Sequence, residues 1–209
     1  MALQEDLQKA IKELRENKER KFDQTLDLII NLQKFQIKKD SINTVVSVPF
    51  KVKEKNICAF LESDSPLVDT ITLAQFPKYS HKKEVKKLVN KYDFFIAEAK
   101  LMPKVATTFG RALGPTGKMP SPQLGILMLP DEKAIKELLN KINTSVKIRT
   151  KESSIKLPVG KQSMKDEELI ENIMAIYSTV EKALTRGKEN VKNVEVKFTM
   201  TKPVKINVR

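Results

Sequence analysis

The middle of the chain alternates between short apolar runs and amphipathic helical stretches, and this alternation limits the folds open to it. Strand-like runs cover residues 56–62, 93–99, 125–129 and 145–150, with helix-like segments between them. Strands that alternate with helices in this way form βαβ units around a parallel sheet buried on both faces. The sequence therefore predicts an inserted, Rossmann-like, doubly wound α/β domain over residues 52–154.

The two ends of the chain carry a different pattern. Residues 3–19 have the apolar stripe of an amphipathic helix, and residues 21–32 alternate between apolar and polar positions as a half-buried strand does. Further strands are expected at residues 41–50, 153–160, 193–201 and 203–209, and a long helix at residues 164–186. We therefore expect a split α+β domain with an antiparallel sheet, formed by residues 1–51 together with residues 155–209. The two crossings between the domains fall near residues 51 and 155.

The stretch GRALGPTGKMPSP, at residues 110–122, contains three of the six glycines and invites comparison with a phosphate-binding loop. A P-loop requires a glycine five positions before its Gly-Lys pair and a hydroxyl side chain directly after it. Those positions hold Ala112 and Met119, and Pro115 removes a backbone donor from the would-be cradle. The sequence instead predicts a stiff turn between two elements, with no nucleotide site.

The chain offers little for catalysis or metal binding. His81 and Cys58 are its only histidine and cysteine, so the usual zinc ligand sets are excluded by count. Cys58 lies in an apolar run and is expected in a buried strand, whereas His81 is expected to be exposed at a helix start. The acidic run at residues 166–168 is expected in the first turn of a helix, where the dipole favours it. We predict no catalytic residue, metal or cofactor.

The bulk properties favour an anionic partner in the cytoplasm. A net charge of +13 and an isoelectric point near 9.7 are typical of a protein that binds nucleic acid. The single cysteine fits a reducing compartment, and no apolar run is long enough for a membrane span. With no Trp and three Tyr, recognition is expected to depend on phosphate, sugar and shape. The predicted composite and inserted domains carry +6 and +7, so charge does not distinguish them.

Three stretches, KFDQTLDLIINL, FGRALGPTGKMPSP and FTMTKPVKINVR, resemble in order and spacing the ribosomal protein L1 family of the mobile lateral stalk. LPVGK, at residues 157–161, is also similar to that family, and KYDFFIAEAKLMP resembles its archaeal and eukaryotic branch. The resemblance implies a two-domain constituent of the large ribosomal subunit that binds 23S- or 28S-type rRNA. It also implies assistance to the release of exit-site tRNA, repression of the protein's own mRNA in many members, and a monomer when free of the ribosome.

The resemblance further implies an RNA-contacting surface on the composite domain. Carried over by motif, the surface comprises Lys21, Phe22, Thr25, Lys161, Ser163, Thr199, Met200 and Thr201. The lysines of this set can contact phosphates, and the threonine hydroxyls can hydrogen-bond to 2′-hydroxyl or phosphate groups. Phe22 and Met200 can pack against sugars or base faces. The family usually has Thr-Met-Gly-Pro where this chain has Thr-Met-Thr-Lys-Pro. Either the RNA sits differently here, or Thr201 adds a contact of its own.

The inserted domain is expected to supply at most secondary phosphate contacts, from Arg111 and Lys118. Two other functions remain open. One is a stand-alone RNA-binding regulator outside the ribosome, which would not co-sediment with large subunits. The other is a nucleotide-dependent enzyme that uses the inserted α/β domain, which would bind ATP or GTP.

Overall fold

A computed structural model describes residues 2–17, 20–37, 40–79, 81–122, 124–128, 131–150 and 152–207. In chain order its helices and strands are α1 (Ala2–Arg15), β1 (Thr25–Leu32), β2 (Asn43–Ser47), β3 (Ile57–Phe60), β4 (Asp69–Ile71), α2 (Lys82–Lys91), β5 (Phe94–Glu98), α3 (Met102–Thr116), β6 (Ile126–Leu127), α4 (Glu132–Asn143), β7 (Ser145–Arg149), β8 (Ser154–Lys161), α5 (Asp166–Ala183), β9 (Val191–Phe198) and β10 (Val204–Ile206). Short 3-10 helices precede α2, α3 and β9. The predicted helix residues 18 and 19, strand residue 129, and the final strand residues 208 and 209 lie outside the described ranges.

The chain divides into two compact units. The composite unit consists of residues 1–53 and 144–209, and the inserted unit of residues 54–143. The fold of the described residues is thus mixed α/β, with a four-stranded and a two-stranded antiparallel sheet, a four-stranded parallel sheet, and helices packed on them. This division differs from the sequence-based domain boundaries chiefly in assigning residues 144–154 to the composite unit.

The composite unit is built on an antiparallel sheet with strand order β10-β9-β1-β8. Alternate residues of β1 are fully or almost fully buried, and the apolar face they form packs against α1 and α5. The α1 stripe that meets this core is Leu7, Ala10, Ile11 and Leu14. These observations confirm the alternation predicted for residues 21–32 and the helical stripe predicted near the N-terminus. The other face of the sheet carries the half-buried polar side chains of β1.

The assignment of residues 145–150 to the parallel sheet was wrong. Strand β7 instead pairs antiparallel with β2, from Asn43 opposite Arg149 to Ser47 opposite Ser145. Thr150 reinforces the pairing, because its hydroxyl accepts a 2.8 Å hydrogen bond from the Ile42 N–H. Val146 and Ile148 then add to the composite core. The pattern of a buried strand is the same in either sheet, so periodicity alone could not choose the partner.

The inserted unit has a parallel sheet with strand order β4-β3-β5-β6. Residues 69–71 lie outside the strand-like runs predicted from the sequence, but they form the edge strand β4 beside β3. Packed phenylalanine rings fill the core, with the Phe60 and Phe109 ring centroids 5.0 Å apart and those of Phe76 and Phe109 5.2 Å apart. None of the helices within the described ranges is long and apolar enough to cross a membrane.

The stretch at residues 110–122 is only partly the stiff turn predicted for it. Its first seven residues belong to α3, which includes Pro115 in its last turn. The helix ends at Gly117, whose φ of 74° is left-handed and whose N–H donates to the Gly114 carbonyl. Lys118 N–H bonds back to the Leu113 carbonyl, completing a Schellman-type end. Gly and Pro were therefore helix-end signals here. The sequence predicts a helix within residues 101–113, beyond Pro103, and the observed helix continues three residues further, to Thr116.

Candidate nucleic-acid interface

Three distant segments of the composite unit meet at one end of its antiparallel sheet. They are residues 21–25 before and at the start of β1, residues 161–163 after β8, and residues 199–201 after β9. The ladder brings them together, because Thr25 lies opposite Lys161 and the adjacent Leu26 lies opposite Phe198. We call these three segments the rim. The rim contains all eight side chains that the family resemblance assigned to the primary RNA surface.

Two of the rim threonines, Thr25 and Thr199, hold β1 to the end of β9. Thr199 N–H donates to the Thr25 carbonyl at 3.1 Å, and Thr25 N–H donates to the Thr199 hydroxyl at 3.2 Å. The Thr199 hydroxyl in turn donates to the Thr25 carbonyl at 3.3 Å. Thr199 is exposed, so its oxygen is fixed in position and still accessible to a ligand. Pre-oriented polar groups lose little conformational freedom on binding.

Gln24 is the buried link among the three rim segments. Only 3% of it is exposed. Its side-chain oxygen accepts from Met200 N–H at 3.0 Å, and its side-chain amide donates to the Gln162 side-chain oxygen at 3.2 Å. Its backbone carbonyl accepts from Gln162 N–H at 2.7 Å. Sequence reasoning passed over Gln24, because nothing local distinguishes it from an ordinary polar residue before a strand.

Asp23 places a carboxylate among the rim cations. One of its oxygens accepts from Ser163 N–H at 3.1 Å, and the other accepts from the Ser163 hydroxyl at 2.9 Å. The same oxygen lies 3.8 Å from Lys161 Nζ. Asp23 therefore orients two residues that the resemblance assigned to RNA contact. An ionised carboxylate has about four acceptor sites, so it keeps capacity for a ligand hydroxyl.

Arg15, at the end of α1, locks the connection between β8 and α5. Its guanidinium donates to Asp166 Oδ1 at 2.7 Å, to the Gln162 carbonyl at 2.9 Å and to the Met164 carbonyl at 2.7 Å. The guanidinium group is planar and its N–H donors point in fixed directions, so it can bond three acceptors at once. Nothing local in the sequence indicates this role, since the three partners lie 147 to 151 residues away in the chain. A shallow concavity of about 500 Å³ adjoins it, lined by Arg15, Arg20, Lys21, Phe22, Asp23, Gln162 and Ser163.

Phe22 and Met200 are among the few large apolar side chains that the described surface exposes, with 51% and 58% of each accessible. From the residues alone, both would be taken for ordinary core positions flanking strands. The structure places them outside the core, next to Lys21 and Lys202, which are also exposed. Apolar faces beside cations can pack on ribose or on an unstacked base.

Thr201 closes the turn between β9 and β10. Its N–H donates to the Phe198 carbonyl at 3.1 Å, and its hydroxyl accepts from Phe198 N–H at 2.9 Å and donates to the same carbonyl at 3.3 Å. Within the described residues, Lys34 is the one non-glycine with a positive φ, so Thr201 adopts an ordinary backbone conformation. The glycine usual at this place in the family is therefore not required by the turn.

A half-buried carboxyl group lies next to the rim on the outer face of the sheet. Asp27 lies opposite Lys197 in the ladder. Burial raises the pKa of the Asp27 carboxyl above its ordinary value, and the positive charge of Lys197 opposes that shift. Desolvation disfavours the charged carboxylate, whereas the nearby ammonium favours it.

The two residues expected to supply secondary contacts, Arg111 and Lys118, belong to the inserted unit. Arg111 is exposed on α3. Lys118 Nζ donates to the backbone carbonyls of Val89 and Tyr92, both at 2.7 Å. It thus binds carbonyls at the end of α2, which gives it a structural role of its own. Its phosphate contact remains a prediction from the sequence.

The remaining candidate groups lie where the sequence predicted. Cys58 is fully buried in β3, and burial, with Asp69 nearby, raises the pKa of its thiol to about 12. His81 is exposed at the N-cap of α2, and the acidic residues 166–168 form the first turn of α5. Within the part of the chain that the structure describes, no three His, Cys, Asp or Glu side chains group as metal ligands.

Sequence comparisons agree with the resemblance. The model of the "Ribosomal protein L1p/L10e family" matches residues 14–202. Three archaeal relatives are each named "Large ribosomal subunit protein uL1". The protein of Cenarchaeum symbiosum is 34% identical, over 96% of this chain and 95% of its own. Those of Methanothermococcus thermolithotrophicus and Archaeoglobus fulgidus are 35% and 34% identical, over 97% and 96% of this chain and 98% and 96% of theirs.

Proposed function

This chain belongs to the ribosomal protein L1p/L10e family, and on that premise we propose that it is a structural constituent of the large ribosomal subunit that binds rRNA. Its site of action is then the large subunit in the cytoplasm, and its role is binding and not catalysis. The rim is the proposed primary contact, at the mobile lateral stalk. The match extends over nearly the whole chain and its relatives, so the proposal concerns the entire protein.

The observation that carries the proposal is the convergence of three distant segments on one rim with two exposed apolar side chains. Phe22 and Met200 are both more than half exposed. The buried Gln24, two residues after Phe22, accepts a hydrogen bond from the Met200 N–H and so links the two segments that carry these side chains. Leaving such side chains in water has no stabilising effect on the fold, so a binding role is the better explanation. The adjacent lysines and fixed hydroxyls are the groups that rRNA phosphates and riboses require.

Two finer functions follow from the family and are part of the proposal. The protein assists the movement of deacylated tRNA out of the exit site, and it represses translation of its own mRNA. The second function uses the rim, because an mRNA segment that folds like the stalk rRNA would present the same groups. Competition between the two RNAs for purified protein tests this directly.

The proposal is tested by measuring binding to the stalk rRNA fragment and to an unrelated hairpin of equal length across a salt series. Shape-specific recognition predicts a preference for the stalk fragment that persists at high salt. Binding through charge alone predicts equal affinities that fall together as salt rises. Equal affinities that fall together would show that the rim does not recognise the stalk rRNA. Co-sedimentation with large subunits separates the ribosomal role from that of a free RNA regulator.

A further inference from the structure

A groove between α2 and α3 in the inserted unit has the charge and shape of a second RNA-binding surface. Its volume is about 680 Å³, and its lining includes Tyr79, Val85, Lys86, Val89, Asn90, Thr108 and Arg111. All of these residues lie within residues 73–118, a segment with ten lysines and arginines and three acidic residues. The groove shares no residue with the rim.

Within the described residues, the two groove cations have no carboxylate partner, whereas three nearby lysines do have internal partners. Lys87 pairs with Glu84 at 3.0 Å, Lys91 with Asp69 at 3.5 Å, and Lys118 with two carbonyls. Among the described residues, by contrast, Lys86 and Arg111 pair with no carboxylate and are exposed. One is contributed by α2 and the other by α3, so an anion in the groove would meet a cation from each helix.

The rest of the lining matches a sugar-phosphate backbone. Val85 and Val89 are buried and form an apolar floor, beside the half-buried ring of Tyr79. Thr107 also lines the groove, and its hydroxyl donates to the Pro103 carbonyl at 2.9 Å, so its oxygen is oriented as an acceptor. Asn90 offers both a donor and an acceptor. A chain that alternates phosphates with hydroxyl-bearing riboses uses cations, acceptors and an apolar surface together.

We propose that the α2–α3 groove binds the sugar-phosphate backbone of rRNA, through Lys86 and Arg111, as a contact separate from the rim. The inference rests on the proposed function, because it presumes an rRNA partner. It revises the pair of residues predicted from sequence: Arg111 keeps its role, and Lys86 replaces Lys118, whose ammonium is held by α2.

A photocrosslinking experiment tests the contact directly. Thr108→Cys places a single reactive thiol in the groove, and Glu137→Cys places one on the exposed surface of α4 as the control. The native Cys58 is fully buried with a raised thiol pKa, so it need not be removed. Each variant is labelled with a photoreactive azide and mixed with intact large-subunit rRNA. We expect discrete rRNA adducts from position 108 and few from position 137.

A charge-reversal pair supplies the second measurement. The groove double variant carries Lys86→Glu and Arg111→Glu. The control double variant carries Lys133→Glu and Lys136→Glu on α4 and changes the net charge by the same amount. Loss of two phosphate contacts lowers the salt slope of rRNA binding by roughly 2 for the groove pair, and the control stays close to the unmodified protein. Circular dichroism and thermal unfolding establish that both pairs fold.

Equal crosslinking at positions 108 and 137, or equal salt slopes for the two charge-reversed proteins, would overturn the groove contact and leave the rim proposal intact. Failure of the unmodified protein to prefer stalk rRNA in the salt series would instead count against the proposed function itself. If the groove binds an acidic protein instead of rRNA, the groove variants will bind rRNA as well as the unmodified protein does. That result would also overturn the proposal.

Discussion

The side-chain oxygen of Gln24 accepts a 3.0 Å hydrogen bond from the backbone N–H of Met200, 176 residues away in the chain. This bond ties the residue before β1 to the turn after β9. Because Gln24 is buried and also holds Gln162, one side chain sets the positions of two rim segments. The rim is therefore a pre-organised surface that depends on a side chain that is almost completely buried.

Replacing Gln24 is expected to weaken RNA binding without removing any RNA contact. Gln24→Ala leaves the partly buried Met200 N–H and the Gln162 side chain without this partner, at a cost of about 0.5–1.5 kcal/mol in the free energy of unfolding. Gln24→Glu keeps the acceptor for Met200 and should retain more of the affinity. Urea unfolding and stalk-rRNA binding measure the two effects. Equal affinities for the alanine and glutamate variants would show that the Met200 bond has no influence on the rim.

Truncating the exposed apolar side chains should separate binding from stability. Phe22→Ala and Met200→Ala are expected to lower rRNA affinity by roughly 1–3 kcal/mol each, the range for base stacking, and to change stability by less than about 0.5 kcal/mol. Phe198→Ala is the contrast, since that side chain is fully buried and its loss costs about 3–5 kcal/mol of stability. A large stability loss in Met200→Ala would place that residue in the core.

Two glycine substitutions should have opposite effects on stability. A Cβ at Gly160 would lie 2.5 Å from Leu169 Cδ2 and 2.8 Å from Met164 Sδ, so Gly160→Ala is expected to destabilise by about 1–3 kcal/mol. Gly110 lies within α3 with nothing within 4 Å of its would-be Cβ. Gly110→Ala should therefore stabilise by about 0.5–1 kcal/mol. Thermal unfolding of both variants decides whether the close approach of β8 to α5 is as tight as described.

The raised pKa of Asp27 predicts a dependence of stability on pH. A carboxyl whose pKa is higher in the folded protein than in the unfolded chain favours folding only while it is protonated. Its contribution is lost as pH rises through the folded pKa. Asp27→Asn should therefore gain stability relative to the unmodified protein between about pH 3 and pH 7. Urea unfolding at both pH values checks the sign, and a relative loss at pH 7 would show that Lys197 outweighs burial.

The thiol of Cys58 should be inert until the inserted unit opens. Its pKa of about 12 leaves almost no thiolate at pH 8, and the side chain is inaccessible. Iodoacetamide is expected to leave the folded protein unmodified and to alkylate it fully in denaturant, as measured by mass spectrometry. Rapid labelling without denaturant would show that β3 is exposed by local opening.

Much of the fold was predictable because burial leaves a periodic record in the sequence. The alternation of residues 21–32 identified β1, and the spacing of apolar residues near the N-terminus identified α1. The three-residue strand β4 was too short to leave such a record. The end of α3 was misplaced because Gly and Pro are typical both of turns and of the last turn and cap of a helix.

The amino-acid sequence by itself determined which residues α1 and β1 would bury, the excess of positive charge and the family motifs of the rim. Only the tertiary structure decided that β7 pairs with β2, that Arg15 locks the start of α5, and that Gln24 holds Met200. The physical reason is the distance along the chain over which each kind of information is recorded. Periodic burial is recorded within a few residues, whereas strand partners and buried hydrogen bonds join groups that are more than a hundred residues apart and become neighbours only on folding.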